Sequence, residues 1–406
     1  MDHLKIGLII YGSLDTISGG YLYDREMVRY LESQGDSVEI ISLPWRSYGR
    51  HLGDNFSVHL RRRLADANFD VLIQDELNHP SLLGVNRLLA RRRPYPVISL
   101  VHHLRCSEQH PALTNRLHSW IERRYLRSVD GFIFNSRTTQ ATVEALVGPS
   151  TNNSANMRSS RVRDLAGLSK IFPGRPAGSW TRLERKNSVR PSVVAYPAGD
   201  HRPTAVTPAE IDRRAHEPGP LRILFVGNLI PRKGLHTLLT ALAALPQKIW
   251  QLDVVGGVDP DDGYTKSIFA QIRAAGIGDR VQLLGTLGNP DLPDLLARSQ
   301  VLAVPSQYEG FGIVYLEALA AGLPVIASTA GAAHEIVTPG ETGFLVAPGD
   351  GPAITAALTA LHADRDLLAR MGHAAQARYA LHPTWADTGA RIREFLADPR
   401  IYTNLH

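Results

Sequence analysis

Glu309 and Glu317 stand eight positions apart in Val304-Pro-Ser-Gln-Tyr-Glu-Gly-Phe-Gly-Ile-Val-Tyr-Leu-Glu-Ala318, with Gly310, Phe311 and Gly312 between them. An apolar run stops at Pro305, a glycine-punctuated loop follows, and a helix is predicted to begin near Gly312. Glu309 then lies in the loop and Glu317 in the second helical turn, about 80° round the helix and roughly 12 Å along it. Acids so separated cannot share a proton, but they can hold two hydroxyl-bearing parts of one elongated ligand. The glycines let a ligand approach the main chain, and the free N–H groups of a helix start form a cradle for an anion or a hydroxyl. A second block, Val226-Gly-Asn-Leu-Ile-Pro-Arg-Lys-Gly234, puts Arg232 and Lys233 side by side at the start of another predicted helix. Cations there oppose the helix dipole unless an anion binds, so anion binding is the favoured reading. Either Glu alone would read as an ordinary surface or helix residue; the glycines and the basic pair together favour a ligand.

These blocks are carried by alternating strands and helices. Lys5–Ile10, Ser37–Ser42, Val71–Ile73, Val97–Val101 and Gly131–Phe134 are short β-branched or apolar runs separated by helical patterns, such as the Met27, Tyr30, Leu31 face that ends at Gly35. Continuous apolar runs suit strands buried on both faces of a parallel sheet. The same grammar restarts at Leu221 and continues through Leu252–Val255, Val281–Leu284, Val301–Val304, Val325–Ala327 and Phe344–Val346. The fold class is therefore α/β, with two doubly wound domains whose loop-rich strand ends face one another across a cleft. The expected division is 1–202, a Pro-rich hinge at 203–219, 220–382, and a final helix within 383–406 that packs near the cleft or onto the first domain.

With 44% hydrophobic and 20% charged residues, the chain is neither disordered nor fibrous, and its one cysteine excludes a disulfide framework or a Cys-based zinc finger. The net charge of +5 is uneven: residues 1–200 hold 27 Lys/Arg against 19 Asp/Glu, and residues 201–406 hold 17 against 20. Most of that excess sits in Ser150–Arg190, with nine basic and two acidic residues, read as a mobile insertion about 150–190. Arg61–Arg63, Arg91–Arg93 and Arg123-Arg124 are further clusters. They are solvated helix faces or a surface for an anionic acceptor or phospholipid; nucleic acid is not expected, because no aromatic-interleaved motif accompanies the charge. No apolar run reaches the roughly 20 residues of a membrane span, and the start lacks a secretory pattern. A cytoplasmic protein is expected, with peripheral contact on the inner face of an anionic membrane as a second expectation. There is no Walker loop and no His-Glu-x-x-His. Asp259-Pro-Asp261-Asp262-Gly263 reads as a turn, and no obligatory metal or other cofactor is expected.

The Glu309–Val325 block resembles the E-x7-E signature of the retaining glycosyltransferases of family GT4, which have the GT-B fold. The resemblance covers nearly the whole chain except Ser150–Arg190. It implies that Glu309 lies by a donor sugar, that Glu317 holds the ribose of a nucleotide, and that the amides of Gly310, Phe311 and Gly312 contact sugar hydroxyls or phosphate. Val226–Gly234 looks like the family's diphosphate-binding turn: Lys233 matches its Lys, while Asn228 stands where an Arg is usual and Arg232 supplies the charge. Gly19-Gly20 resembles the loop that reaches the donor phosphate from the first domain. His102, beside His103, sits where relatives carry a His near sugar and acceptor. Glu335 matches a Gly-Gly-x-x-Glu-Ile turn imperfectly. The implied activity is transfer of a hexosyl unit from a nucleotide-diphosphate sugar, as co-substrate, to a hydroxyl acceptor. The alternatives are a sugar-nucleotide epimerase or hydrolase on the same architecture, and a non-catalytic nucleotide-sugar-binding protein.

Overall fold

The computed structural model describes residues 3–90, 92–108, 110–152, 190–202, 206–259, 262–286 and 291–403. The basic stretch read as an insertion lies outside the described residues except at its two ends.

The first lobe is a seven-stranded sheet built from β1 (Lys5–Tyr11), β2 (Ser37–Leu43), β3 (Val71–Asp75), β4 (Val97–Val101), β5 (Gly131–Phe134), β6 (Ser150–Asn152) and β7 (Arg190–Val194). Its strand order is β2-β1-β3-β4-β5-β7-β6 and every pairing is parallel. Strands β3, β4 and β5 are buried along their whole length, as their unbroken apolar runs require in a sheet covered on both faces. The second lobe is a six-stranded parallel sheet of β8 (Leu221–Val226), β9 (Trp250–Val255), β10 (Val281–Gly285), β11 (Val301–Val304), β12 (Val325–Ser328) and β13 (Gly343–Val346). Its order is β10-β9-β8-β11-β12-β13. Both sheets are doubly wound, as the sequence predicts. In each, the order reverses beside the first strand, between β1 and β3 and between β8 and β11. Ligands of open α/β sheets bind outside the carboxyl ends of the strands at that point. The Gly227–Gly234 turn leaves β8 and the Pro305–Gly312 loop leaves β11, so both sequence blocks lie at the switch point of the second lobe.

Two elements tie the ends of the chain to these sheets. The 203–219 stretch, read as a hinge from its prolines, holds the helix Pro208–His216, whose Ile211 and Ala215 join the core of the second lobe. Thr207 and Glu210 form a reciprocal capping box, with Pro208 just inside the start. Proline is compatible with the first helical position, so Pro208 opens a helix within the stretch. At the far end, the helix Trp385–Leu396 returns to the first lobe. Trp385, Ile392, Phe395 and Leu396 enter the same core as the Gly19–Ser33 helix. A Cβ at Gly389 would lie 2.2 Å from Tyr30 Cγ, so the helices touch where only glycine fits. Arg393 then clamps Asp36 at 2.7 and 3.1 Å, and Asp36 also accepts from the Leu4 amide at 3.0 Å.

Asp36 is buried and serves three donors. Hydrogen bonds to charged groups contribute about 1.5–3 kcal/mol, so Asp36→Ala is expected to lower the thermal midpoint of unfolding by several degrees. Calorimetry checks this; an unaltered midpoint would show that the returning helix is not anchored here.

Candidate active site

The two loops at the β8/β11 switch point are laced together by a main-chain and a side-chain contact. The Gln307 amide donates to Arg232 O at 2.7 Å, and the Arg232 guanidinium donates to Tyr308 O at 3.0 Å. Gly234, at φ +75°, passes so close to Pro305 that a Cβ would lie 2.1 Å from its carbonyl oxygen. Gly227 leaves room for the aliphatic stem of Lys233, which crosses to Glu309: Lys233 Nζ lies 2.6 Å from Glu309 Oε2. Ser306 Oγ donates to the same oxygen at 3.2 Å. Burial disfavours charge on Glu309, but Lys233 and Arg232 outweigh it and hold the carboxyl below its usual range. A carboxylate and an ammonium, both largely buried, thus face each other at the strand ends. Asn228 accepts from the Gly257 amide at 3.3 Å and so ties its turn to the one following β9; in this arrangement it braces backbone.

Glu317, on the helix Ile313–Ala320, is separate from that pair. Arg202 donates to its Oε1 at 2.9 Å. His201 Nε2 stands 3.0 Å from the same oxygen but off the line a hydrogen bond needs, so Arg202 is the partner that counts. Gly312, at φ +98°, starts that helix. The Phe311 ring is buried between Tyr196 and His382, with centroids 5.8 and 6.0 Å away, so only its main chain is available to a ligand.

The first lobe meets this loop directly. A Cβ at Gly310 would lie 2.6 Å from His102 O and 3.0 Å from His103 Cβ. Ser136 Oγ donates to Gly310 O at 3.3 Å. Gly19 approaches the Ile313 side chain, and Gly20 lies against the His102 ring. Arg232 also meets Glu108 of the first lobe at 3.5 Å, and Glu108 is bonded to His103 at 3.0 Å. Burial would raise the Glu108 carboxyl, yet His103 and then Arg232 hold it low.

Beneath this contact lies a buried cluster of charge. His102 Nε2 is 3.1 Å from Asp24 Oδ1, and Asp75 stands alongside. Burial opposes charge on the His102 ring, but the hydrogen bond and charge of Asp24, with Asp75 and Glu76 behind, raise it to about 9. Burial and Asp24 push Asp75 up to about 7 against the pull of His102. A second cluster holds Glu76, His79 and Glu122. His79 Nδ1 faces Glu76 O at 2.9 Å and must carry the proton, since a carbonyl only accepts; Nε2 then accepts from the Tyr48 hydroxyl at 2.9 Å. That ring has no nitrogen left for a metal. Glu76 is buried against Glu122, and burial followed by that neighbour raises its carboxyl well above the usual range. Asp262, the last acid of the Asp-x-Asp stretch, accepts from the amides of Tyr264 and Thr265 and so caps the helix Gly263–Ala274.

Two families of known proteins match. Residues 207–378 match the family described as Glycosyl transferases group 1, and residues 19–154 match the Glycosyl transferase 4-like domain. The chain belongs to the GT4 glycosyltransferases. It is 27% identical to the MMP alpha-(1->4)-mannosyltransferase of Mycolicibacterium hassiacum over 83% of this chain and 72% of that protein. It is 31% identical to a GDP-mannose-dependent alpha-(1-6)-phosphatidylinositol monomannoside mannosyltransferase of Mycobacterium tuberculosis over 48% of this chain. That match spans only about half, 52%, of the relative's length. Among solved structures, sucrose-phosphate synthase from Thermosynechococcus elongatus superposes with a TM-score of 0.73 at 20% identity, covering 97% of this chain and 98% of that one. Anabaena HepE, solved in complex with UDP and glucose, superposes with a TM-score of 0.67 at 20% identity, covering 98% of this chain and 100% of that one. At those identities the structural likeness shows the GT-B fold.

In this glycosyltransferase the structure brings Lys233, Arg232, Glu309 and Gly310 together with His102 across the lobes, and sets Glu317 apart beside Arg202. Sequence reading missed Asp24, Asp75, Glu108 and Arg202. Asp24 left one trace: an acid on the helix face otherwise formed by Tyr23, Met27 and Leu31, where an unpaired charge would be costly. Arg202 and Glu108 left none.

A histidine raised above its unfolded value of roughly 6.5 stabilises the fold below that pH and loses its contribution as pH rises through about 9. Asp75 titrates lower, near 7. Thermal melts should therefore show stability falling between about pH 7 and 9, and Asp24→Asn should flatten that slope. An identical slope in the variant would break the assignment.

Proposed function

We propose that this chain transfers a hexosyl unit from a nucleoside-diphosphate sugar to a hydroxyl acceptor, with retention at the anomeric carbon. The observation that carries the reading is the Lys233–Glu309 contact of 2.6 Å at the carboxyl ends of β8 and β11. A donor diphosphate entering there meets the Lys233 ammonium and the Arg232 guanidinium. They neutralise the charge that develops as the sugar–oxygen bond breaks, and such electrostatic stabilisation is the largest contribution a site of this kind offers. Glu309, relieved of Lys233, orients the sugar hydroxyls. The amides of Gly310, Phe311 and Gly312 hold sugar or phosphate oxygens, Gly19-Gly20 closes over the donor, and Glu317 takes the ribose once Arg202 yields. His102, held charged by Asp24, faces the same space from the first lobe. Attack from the face the diphosphate leaves, assisted by that leaving group, accounts for retention without a protein nucleophile. The names of the mannosyltransferase relatives make GDP-mannose the first donor to test.

Lys233→Ala and Glu309→Ala are each expected to cut kcat by about a hundredfold or more while the chain still folds, at a lowered thermal midpoint because each leaves a largely buried partner charge unanswered. The assay incubates GDP-, UDP- and ADP-hexoses with candidate acceptors and follows the anomeric configuration of the product by NMR. Full turnover in both variants would sink the reading. Release of free sugar without transfer would favour a hydrolase, an altered sugar on the nucleotide an epimerase, and donor binding without any product a binding protein.

The acceptor side bears a feature that supports an amphiphilic or surface-bound partner. The helices Val58–Ala65 and His79–Leu89 enclose a concavity of about 600 Å³ lined by Arg61, Arg62, Arg87, Arg92, Val58 and Leu88. Among the described residues no acid pairs with these four arginines, and Leu88, Val58 and the neighbouring Phe56 are exposed. Among the described residues, no helix is long and apolar enough to cross a membrane. Peripheral contact with an anionic bilayer fits that mixture of cation and exposed apolar surface. The protein should co-sediment with vesicles containing anionic lipid, less so as salt is raised, and Arg62→Glu with Arg87→Glu should abolish the association. Equal binding to neutral vesicles, or none to either kind, would remove the membrane from the proposal.

A further inference from the structure

We infer that Glu335 is an interlobe latch: its carboxylate caps a helix of the first lobe, and its own turn holds the Glu309 loop, so that closure of the lobes and placement of Glu309 become one event. The inference rests on the glycosyltransferase reading above for its catalytic consequence, but its geometry stands apart from that reading.

Glu335 lies on the turn Ala333–Glu335 that follows β12 in the second lobe. Among the described residues, every hydrogen bond to its carboxylate comes from the first lobe. Oε2 accepts from the Arg137 amide at 3.1 Å and from the Tyr196 hydroxyl at 2.9 Å; Oε1 accepts from the Thr138 amide at 2.8 Å and the Thr138 hydroxyl at 2.5 Å. Arg137 and Thr138 open the helix Arg137–Val147, whose N-cap Ser136 accepts only from Thr139. Their N–H groups are donors with no partner inside the helix, and the helix dipole favours a negative charge at that end. A carboxylate from the opposite lobe supplies both requirements.

The backbone of the same turn reaches Glu309. The Glu309 amide donates to Ala330 O at 3.2 Å, and the Ala332 amide donates to Glu309 O at 2.9 Å. Between them Gly331, at φ +96°, runs so close that a Cβ would lie 2.0 Å from Glu309 O. The Arg378 guanidinium pins Glu335 O at 2.8 Å from behind. One rigid turn therefore grips the donor-side loop with its main chain and the first lobe with its side chain. Tyr196, bonded to Glu335, also packs on Phe311, and Ser136 reaches Gly310 O, so the loop and the latch engage the same two first-lobe segments.

The four hydrogen bonds of the Glu335 carboxylate all run between the lobes and none lies within its own. With the lobes apart, the carboxylate and the two amides would be hydrated at little cost. Closure exchanges that water for four hydrogen bonds, and closing a site both excludes solvent and completes the catalytic constellation. Glu335 touches no reacting atom; it is a positioning residue.

The test compares wild type with Glu335→Ala and Glu335→Gln in three measurements. Small-angle scattering with GDP and with UDP reads the separation of the lobes. Titration calorimetry with the same nucleotides reads donor-side binding. Steady-state kinetics on whichever donor–acceptor pair is turned over reads kcat and KM apart. Glu335→Ala should keep its thermal midpoint and nucleotide affinity, scatter as a more open particle, and lose about ten- to a hundredfold in kcat with little change in donor KM, since misplacement on the order of 1 Å can cost that much. Glu335→Gln, which keeps an acceptor but not the charge, should fall between. Tyr196→Phe combined with Glu335→Ala should cost less than the two effects added. Unchanged scattering and kcat in Glu335→Ala overturn the latch, as does a loss confined to nucleotide affinity. If no sugar is transferred by the wild type, the scattering comparison still decides the latch, and the two failures are told apart.

Discussion

A carboxylate and an ammonium facing each other at 2.6 Å, at the only place where the second sheet reverses its strand order, set the terms for everything around them. Neither Lys233 nor Glu309 is exposed enough to be solvated on its own, and a buried charge without its partner is strongly destabilising. Each is therefore held by the other. The backbone makes room for that pair. Gly227 makes room for the lysine stem, Gly234 lets its turn touch Pro305, and Arg232 bonds the main chain of the opposite loop.

The meeting of the lobes obeys the same economy. Gly310 lies against the His102 carbonyl, and Gly331 against that of Glu309, at distances no side chain would allow. Backbone brought this close needs its polar groups satisfied, and they are: Asn135 bonds His102 O within the first lobe, while Ser136 bonds Gly310 O and Glu335 takes the helix amides across the junction. Charge then fills the first-lobe side. His102 sits between acids that keep it protonated, and Glu108 reaches Arg232 from the same lobe. Cations of both lobes, Lys233 and Arg232 on one side and His102 on the other, are thus each answered by an acid.

Arg202 on Glu317 extends the pattern to the far end of the cleft. The Glu317 carboxylate is answered by a side chain from just before the Pro208–His216 helix. The Trp385–Leu396 helix, clamped to Asp36, returns the chain to the first lobe.

Patterns of short range were readable from residue order alone. Unbroken apolar runs announced strands buried on both faces, because burial on two sides leaves no room for polar alternation. The repeat of that grammar after Leu221 announced two sheets. The glycine-punctuated blocks at 226–234 and 304–318 announced strand-end loops, since their spacing depends only on local geometry. Within 203–219 the helix Pro208–His216 was not legible: Pro208 is as much at home at the start of a helix as in a linker, and only the packing of Ile211 shows the helix. Pairings of long range belonged to the tertiary structure. Asp24 meets His102 across 78 positions and Glu335 meets Thr138 across 197. In the second case half of the recognition is by backbone N–H groups, which every residue but proline carries. A helix end leaves no letter in the sequence to say which distant carboxylate will cap it, so that contact was settled only when the two sheets came face to face.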